Sequence, residues 1–83
     1  MRYEEIIFLQ GDDANDCLDV LNEVGNEKTI DYILTQYDNG KDNYKTDKLP
    51  AGSSDDIYET GNYILNYNIP LNYIGLVRKI KGE

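Results

Sequence analysis

GDDANDCLDVLNEVGNEKTIDYILTQYDNG, residues 11–40, places apolar side chains at helical spacing in two runs separated by a single glycine. In the first run Ala14, Cys17, Leu18, Leu21 and Val24 recur at the intervals that stack side chains on one helix face. Asp12 or Asp13 stands where an N-cap is needed, acids there suit the positive end of the helix dipole, and Gly25 supplies a stop. The spacing predicts a helix over 13–24. Asn26 then offers a second cap and Glu27 falls in a first turn. Ile30, Ile33, Leu34 and Tyr37 make the apolar face of a helix over 27–38, ended by Asn39-Gly40. The short link through Gly25 makes the pair an αα-hairpin.

Outward from this pair the chain changes period. Residues 2–9, RYEEIIFL, are rich in β-formers and stop at Gln10-Gly11, so they read as a strand. At the other end, 62–80 carries two β-rich runs, 62–67 and 71–80, around the turn chemistry of Asn68-Ile69-Pro70. That pattern predicts an antiparallel hairpin. Pairing Tyr67 with Leu71 would put Leu65 opposite Tyr73 and Tyr63 over the bare backbone of Gly75. Between helices and hairpin, residues 41–61 lack a period and read as one long loop. Three readings of it stay open: an ordered connection with a short strand near Ile57-Tyr58, a partner-binding loop, or a mobile linker.

The sum is a small single-domain α+β fold: an antiparallel sheet of three or four strands with the αα-hairpin packed on one face. Ile7, Leu9, Leu18, Leu21, Ile30, Ile33, Leu34, Leu65, Ile74 and Leu76 are the expected core. Eighty-three residues suffice for one modest core, which disfavours a deep enclosed active site. No apolar run is long enough for a transmembrane helix, and the N-terminus is too acidic for a signal peptide, so a cytoplasmic setting is expected.

Composition removes several reaction classes. The chain has no His and one Cys, Cys17, so neither a Ser-His-Asp triad nor a Cys-His pair can be built, and an ordinary zinc site lacks ligands. A calcium loop starting at Asp12 puts Ala14 at its third position and Cys17 where a glycine must turn the chain. A loop starting at Asp38 puts Leu49 where the closing glutamate belongs. Glycosidase-type catalysis needs carboxyls facing each other across a cleft, whereas these acids share a helix face. Cys17 lies on the apolar seam and reads as a buried, inert thiol. No enzymatic activity, metal or cofactor is expected.

The charge is concentrated. Residues 11–38 hold eight acids and one lysine, −7 of a net −8. Asp12, Asp16, Asp19 and Glu23 fall within about a 60° arc opposite the Leu18/Leu21 seam. Glu27, Asp31 and Asp38 fall within about a 40° arc on one flank of the second helix. If the helices pack as a hairpin, these seven carboxylates could share an outer surface. It reads either as a solubilising face or as a docking face for a basic partner. Direct nucleic-acid binding is disfavoured by charge, since only Arg78, Lys79 and Lys81 could rim a base-stacking surface. Eight tyrosines with no Trp are the second unusual feature, and Tyr63, Tyr67 and Tyr73 lie on the hairpin. They read as sheet packing or as a secondary contact surface.

The runs FLQGDDANDCLDVLNEVG (8–25), IDYILTQYDNG (30–40) and GNYILNYNIPLNYIGLVRKI (61–80) together resemble a group of small uncharacterised bacterial proteins. Tyr37 departs from that group, which more often carries tryptophan before the aspartate. The resemblance implies no activity, cofactor or catalytic residue. The residues themselves point to a small acidic protein-interaction module, such as an inhibitor or DNA-mimic-like protein whose partner is itself a basic nucleic-acid-binding protein. The alternative is an accessory subunit that binds through a tyrosine-rich hairpin edge.

Overall fold

A computed structural model describes residues 2–37, 44–46, 52 and 54–80. In order the chain forms β1 (Arg2–Gln10), α1 (Gly11–Val24), α2 (Asn26–Tyr37), β2 (Tyr44–Thr46), β3 (Asp56–Glu59), β4 (Tyr63–Asn68) and β5 (Tyr73–Ile80). The α+β single-domain architecture is the expected one. The sheet has five strands rather than three or four, in the order β2-β1-β5-β4-β3, and every neighbouring pair is antiparallel. Two of the strands lie in segment 41–61: β3 contains the short strand at Ile57-Tyr58 that one reading of the segment expected, and β2, whose three residues pair with Tyr3–Glu5, is the unexpected one. No helix among the described residues is long and apolar enough to cross a membrane.

β1 changes face part-way along. Its pairing with β5 shifts between Glu5 and Ile7, a bulge that buries the consecutive residues Ile6 and Ile7 in the same core. The bulge also leaves Glu4 directly opposite Arg78, whose Nη1 donates to Glu4 Oε1 at 3.1 Å. Glu4 is 7% exposed, so this pairing offsets the cost of a nearly buried carboxylate.

Both helices pack on one sheet face. Ala14 and Cys17 of α1 meet Ile30 and Ile33 of α2, and all four join Ile6, Ile7, Leu65, Ile74 and Leu76. Leu9, Leu18, Leu21 and Leu34 are partly buried against this cluster, as expected, whereas Val24 at the end of the seam is 47% exposed. The entry to α1 differs from expectation. Gln10 is the cap residue and makes no side-chain cap bond, while Asp12 and Asp13 lie inside the first turn. There they act on the helix dipole rather than as caps. Gly25 at φ +87° ends α1 and is the only residue between the helices. Asn26 is the first residue of α2 and not its cap: its Oδ1 is buried without a hydrogen-bond partner. The Thr29 hydroxyl instead donates back to the Gly25 carbonyl at 2.6 Å, fixing the corner from inside. Asp38 and Asn39-Gly40 lie outside the described residues.

The hairpin forms in a different register. Tyr63 stands opposite Arg78, Leu65 opposite Leu76 and Tyr67 opposite Ile74, with residues 69–72 as the loop. Asn72 adopts φ +53°, a conformation asparagine tolerates, and Asn68 Oδ1 accepts from the Leu71 amide at 3.0 Å. The loop is therefore built between two asparagines, and Pro70 sits inside it. Gly75 faces Asn66 and Phe8 on its two sides, not Tyr63. Phe8 Cδ2 lies 3.7 Å from where a Gly75 Cβ would stand, so the aromatic cover of the glycine comes from β1.

Candidate functional site

Six of the seven candidate carboxylates are described, and all six are exposed: Asp12, Asp16, Asp19 and Glu23 on α1, Glu27 and Asp31 on α2. Asp38 lies outside the described residues. The α1 acids project from the side opposite the buried Ala14 and Cys17. Neither helix has a basic residue in its last turn, and none of the six carboxylates forms an ion pair among the described residues. Pairs such as Asp12/Asp16 and Asp19/Glu23 thus repel at four-residue spacing, each by about 0.2–0.5 kcal/mol.

The two helices present their acids to different surroundings. Asp19 borders a groove of about 480 Å³ together with Asn15, Asn22, Tyr67, Ile69 and Asn72. Glu27 and Asp31 border a second groove, of about 420 Å³, against the turn from Thr60 to Tyr63.

The cations of β5 are occupied within the sheet. Arg78 binds Glu4, and Lys79 Nζ donates to Glu59 Oε2 and to the Thr60 carbonyl. Arg78 stands opposite Tyr63, and Lys81 lies outside the described residues.

The tyrosines do not share a surface. Tyr63 and Tyr67 are partly buried against the helix-side core, while Tyr73 alternates to the opposite face. There its ring lies 5.3 Å from that of Phe8, tilted by 32°. The hairpin also has no free edge, because β4 pairs with β3 and β5 pairs with β1. Among the described residues the outer strands are β2 and β3.

One cluster escaped the sequence reading. The Asp55 carboxylate accepts from the Gly52 amide at 2.7 Å, Asn66 Nδ2 at 3.1 Å, Asn68 Nδ2 at 3.3 Å and the Tyr73 hydroxyl. Asn68 Nδ2 also reaches Ser54 Oγ at 3.3 Å. Asn66 and Asn68 are 2% and 5% exposed on the sheet face opposite the helices, where Ile64 and Val77 are buried as well. Asn66 Oδ1 has no hydrogen-bond partner among the described residues and occupies the space a Gly75 Cβ would need, 3.1 Å from where it would stand. The only sequence signal was the Asn66/Asn68 alternation on one strand face, and Asp55 is too distant in sequence to have been linked to it. Three of these donors, Asn66, Asn68 and Tyr73, belong to β4 and β5 and fasten the stretch before β3 to the sheet.

Cys17 is fully buried. Burial and the Asp16 charge push its thiol up to about 11, with Asp13 adding to them and the Tyr37 hydroxyl partly offsetting them. Such a thiol is a poor nucleophile. No group of His, Cys, Asp and Glu among the described residues is arranged to hold a metal ion. The chain matches no family model, no curated protein and no solved structure.

Proposed function

We propose that this chain is a non-enzymatic interaction module that docks its helical carboxylates on a basic protein surface. The observation that carries the reading is the exposure of Asp12, Asp16, Asp19, Glu23, Glu27 and Asp31, none of them in an ion pair among the described residues, with Lys28 the one cation on the described parts of the two helices. Arg78 and Lys79 of β5 are bound to Glu4 and Glu59. A basic partner would relieve the repulsion along α1 and gain a faster encounter through electrostatic steering. A nucleic-acid-binding protein is the concrete partner class, because its phosphate-binding groove offers a dense array of Lys and Arg. The chain would then act as an inhibitor by occupying that groove.

The test is charge reversal at positions that leave the core untouched. Asp16→Lys, Asp19→Lys and Glu23→Lys together should abolish binding to the partner recovered from lysate at low salt, with an unchanged circular dichroism spectrum. Retention of full affinity by the folded triple variant would reject the reading.

A further inference from the structure

Among the described residues β3 closes one side of the sheet, paired with β4 and with no strand beyond it. Thr60 N–H donates to the Tyr63 carbonyl at 2.8 Å. Antiparallel bonding alternates from that pair, so with Tyr58 opposite Leu65 and Asp56 opposite Tyr67, these are the residues bonded to β4. The main-chain N–H and C=O groups of Ile57 and Glu59 therefore point away from the sheet. Both residues are exposed, Ile57 by 47%. The described charges around the edge are acidic except for Lys79. Asp56 and Glu59 lie on the strand itself, and Glu27 and Asp31 of α2 border the groove beside the Thr60–Tyr63 turn into which β3 runs. Lys79 is bound to Glu59 and the Thr60 carbonyl.

We propose that the β3 edge is a strand-addition site for an extended, lysine- or arginine-bearing segment of a partner protein. The incoming segment bonds to the main chain of Ile57 and Glu59 as a sixth strand and lays a cationic side chain in the groove bordered by Glu27 and Asp31. Main-chain bonds of this kind give affinity, and alternate side chains give selectivity. The inference rests on the acidic-module reading and adds the conformation in which the partner is held. A second copy of this chain does not suit the edge, since it would bring together two strands each carrying Asp56 and Glu59. The same charges turn away neutral and acidic strands, as edge charges commonly do, and leave a cationic one as the fitting occupant.

A synthetic peptide of alternating lysine and valine, titrated at low salt into the isotopically labelled chain, tests this by amide hydrogen exchange. Exchange should slow at Ile57 and Glu59, with shifts at Thr60–Tyr63. Ile57→Pro removes an outward N–H at an edge position where proline is tolerated, and should weaken peptide binding roughly tenfold. Glu27→Gln with Asp31→Asn should weaken it several-fold. A peptide interrupted by proline at alternate positions should bind weakly to the unaltered chain, which keeps the test independent of how the Ile57 variant folds. Equal binding of the interrupted and uninterrupted peptides would overturn strand addition. Binding lost only in the Asp16/Asp19/Glu23 reversal would also overturn it while leaving the acidic-module reading in place.

Discussion

Tyr73, on β5, donates its phenolic proton to Asp55, eighteen residues earlier in the chain. That bond, with those from Asn66 and Asn68, ties the stretch before β3 to the sheet face the helices leave open. Removing the acceptor strands the nearly buried Asn66 amide and leaves Asn68 Nδ2 with Ser54 Oγ alone. Asp55→Ala should therefore cost about 1–3 kcal/mol in urea unfolding at neutral pH. A cost indistinguishable from zero would mean that the cluster forms without stabilising the fold.

The same cluster sets a pH dependence. Burial opposes ionisation of Asp55, but hydrogen bonds from Tyr73, Gly52, Asn68 and Asn66 outweigh it and hold its pKa below the ordinary aspartate value. Its contribution to stability is thus complete above the unfolded pKa of about 3.9 and is lost as pH falls through the lower folded value. The Tyr73 phenol is held above its ordinary pKa by its bond to Asp55, then by burial and the carboxylate's charge. That contribution is complete below an unfolded pKa of about 10 and is lost as pH rises through the higher folded value. Urea midpoints of wild type and Asp55→Ala should converge toward acid, and spectrophotometric titration should find one tyrosine fewer titrating late in the variant. Parallel curves at all pH values would contradict the assignment.

Gly75 is held small by its neighbours. A Cβ there would stand 3.1 Å from Asn66 Oδ1 and 3.3 Å from the Ile7 carbonyl oxygen. The second contact is backbone of a paired strand and cannot swing aside. Gly75→Ala should destabilise the chain by about 1–3 kcal/mol, read as a lower urea midpoint. An unchanged midpoint would show that β1 and β5 separate more easily than this packing implies.

Cys17 should ignore thiol reagents in the native state. With its side chain buried and its pKa pushed up to about 11, labelling at mildly alkaline pH should proceed at the rate of unfolding and accelerate with added urea. Fast, complete labelling of the folded chain would contradict a sealed seam between α1 and α2.

Much of the fold was legible because its signals are local. The α1 seam through Ala14, Cys17, Leu18 and Leu21, the corner at Gly25 and the β-rich character of β4 and β5 all repeat within a few residues. The hairpin register was not legible, because the loop is set by Asn72 at positive φ and by the Asn68 side chain rather than by Pro70. The bulge in β1 hid inside the run Ile6-Ile7-Phe8, where a continuous apolar stretch gives no period to break. β2 is too short to carry a pattern, and the Asp55 cluster joins residues 11 to 18 positions apart. Of the candidate site, the exposure of the helical acids was legible from angles alone. The placing of Asp19 beside one groove and of Glu27 and Asp31 beside another depends on how β4 and its turns lie against the helices, which no helix periodicity contains.

The salt dependence of partner binding tests the central claim most directly. If unneutralised carboxylates on α1 and α2 make the contact, affinity should fall steeply and continuously from low to high ionic strength, and the Asp16/Asp19/Glu23 lysine variant should show no binding at any salt concentration. Affinity that stays level as salt rises, in wild type and variant alike, would contradict it.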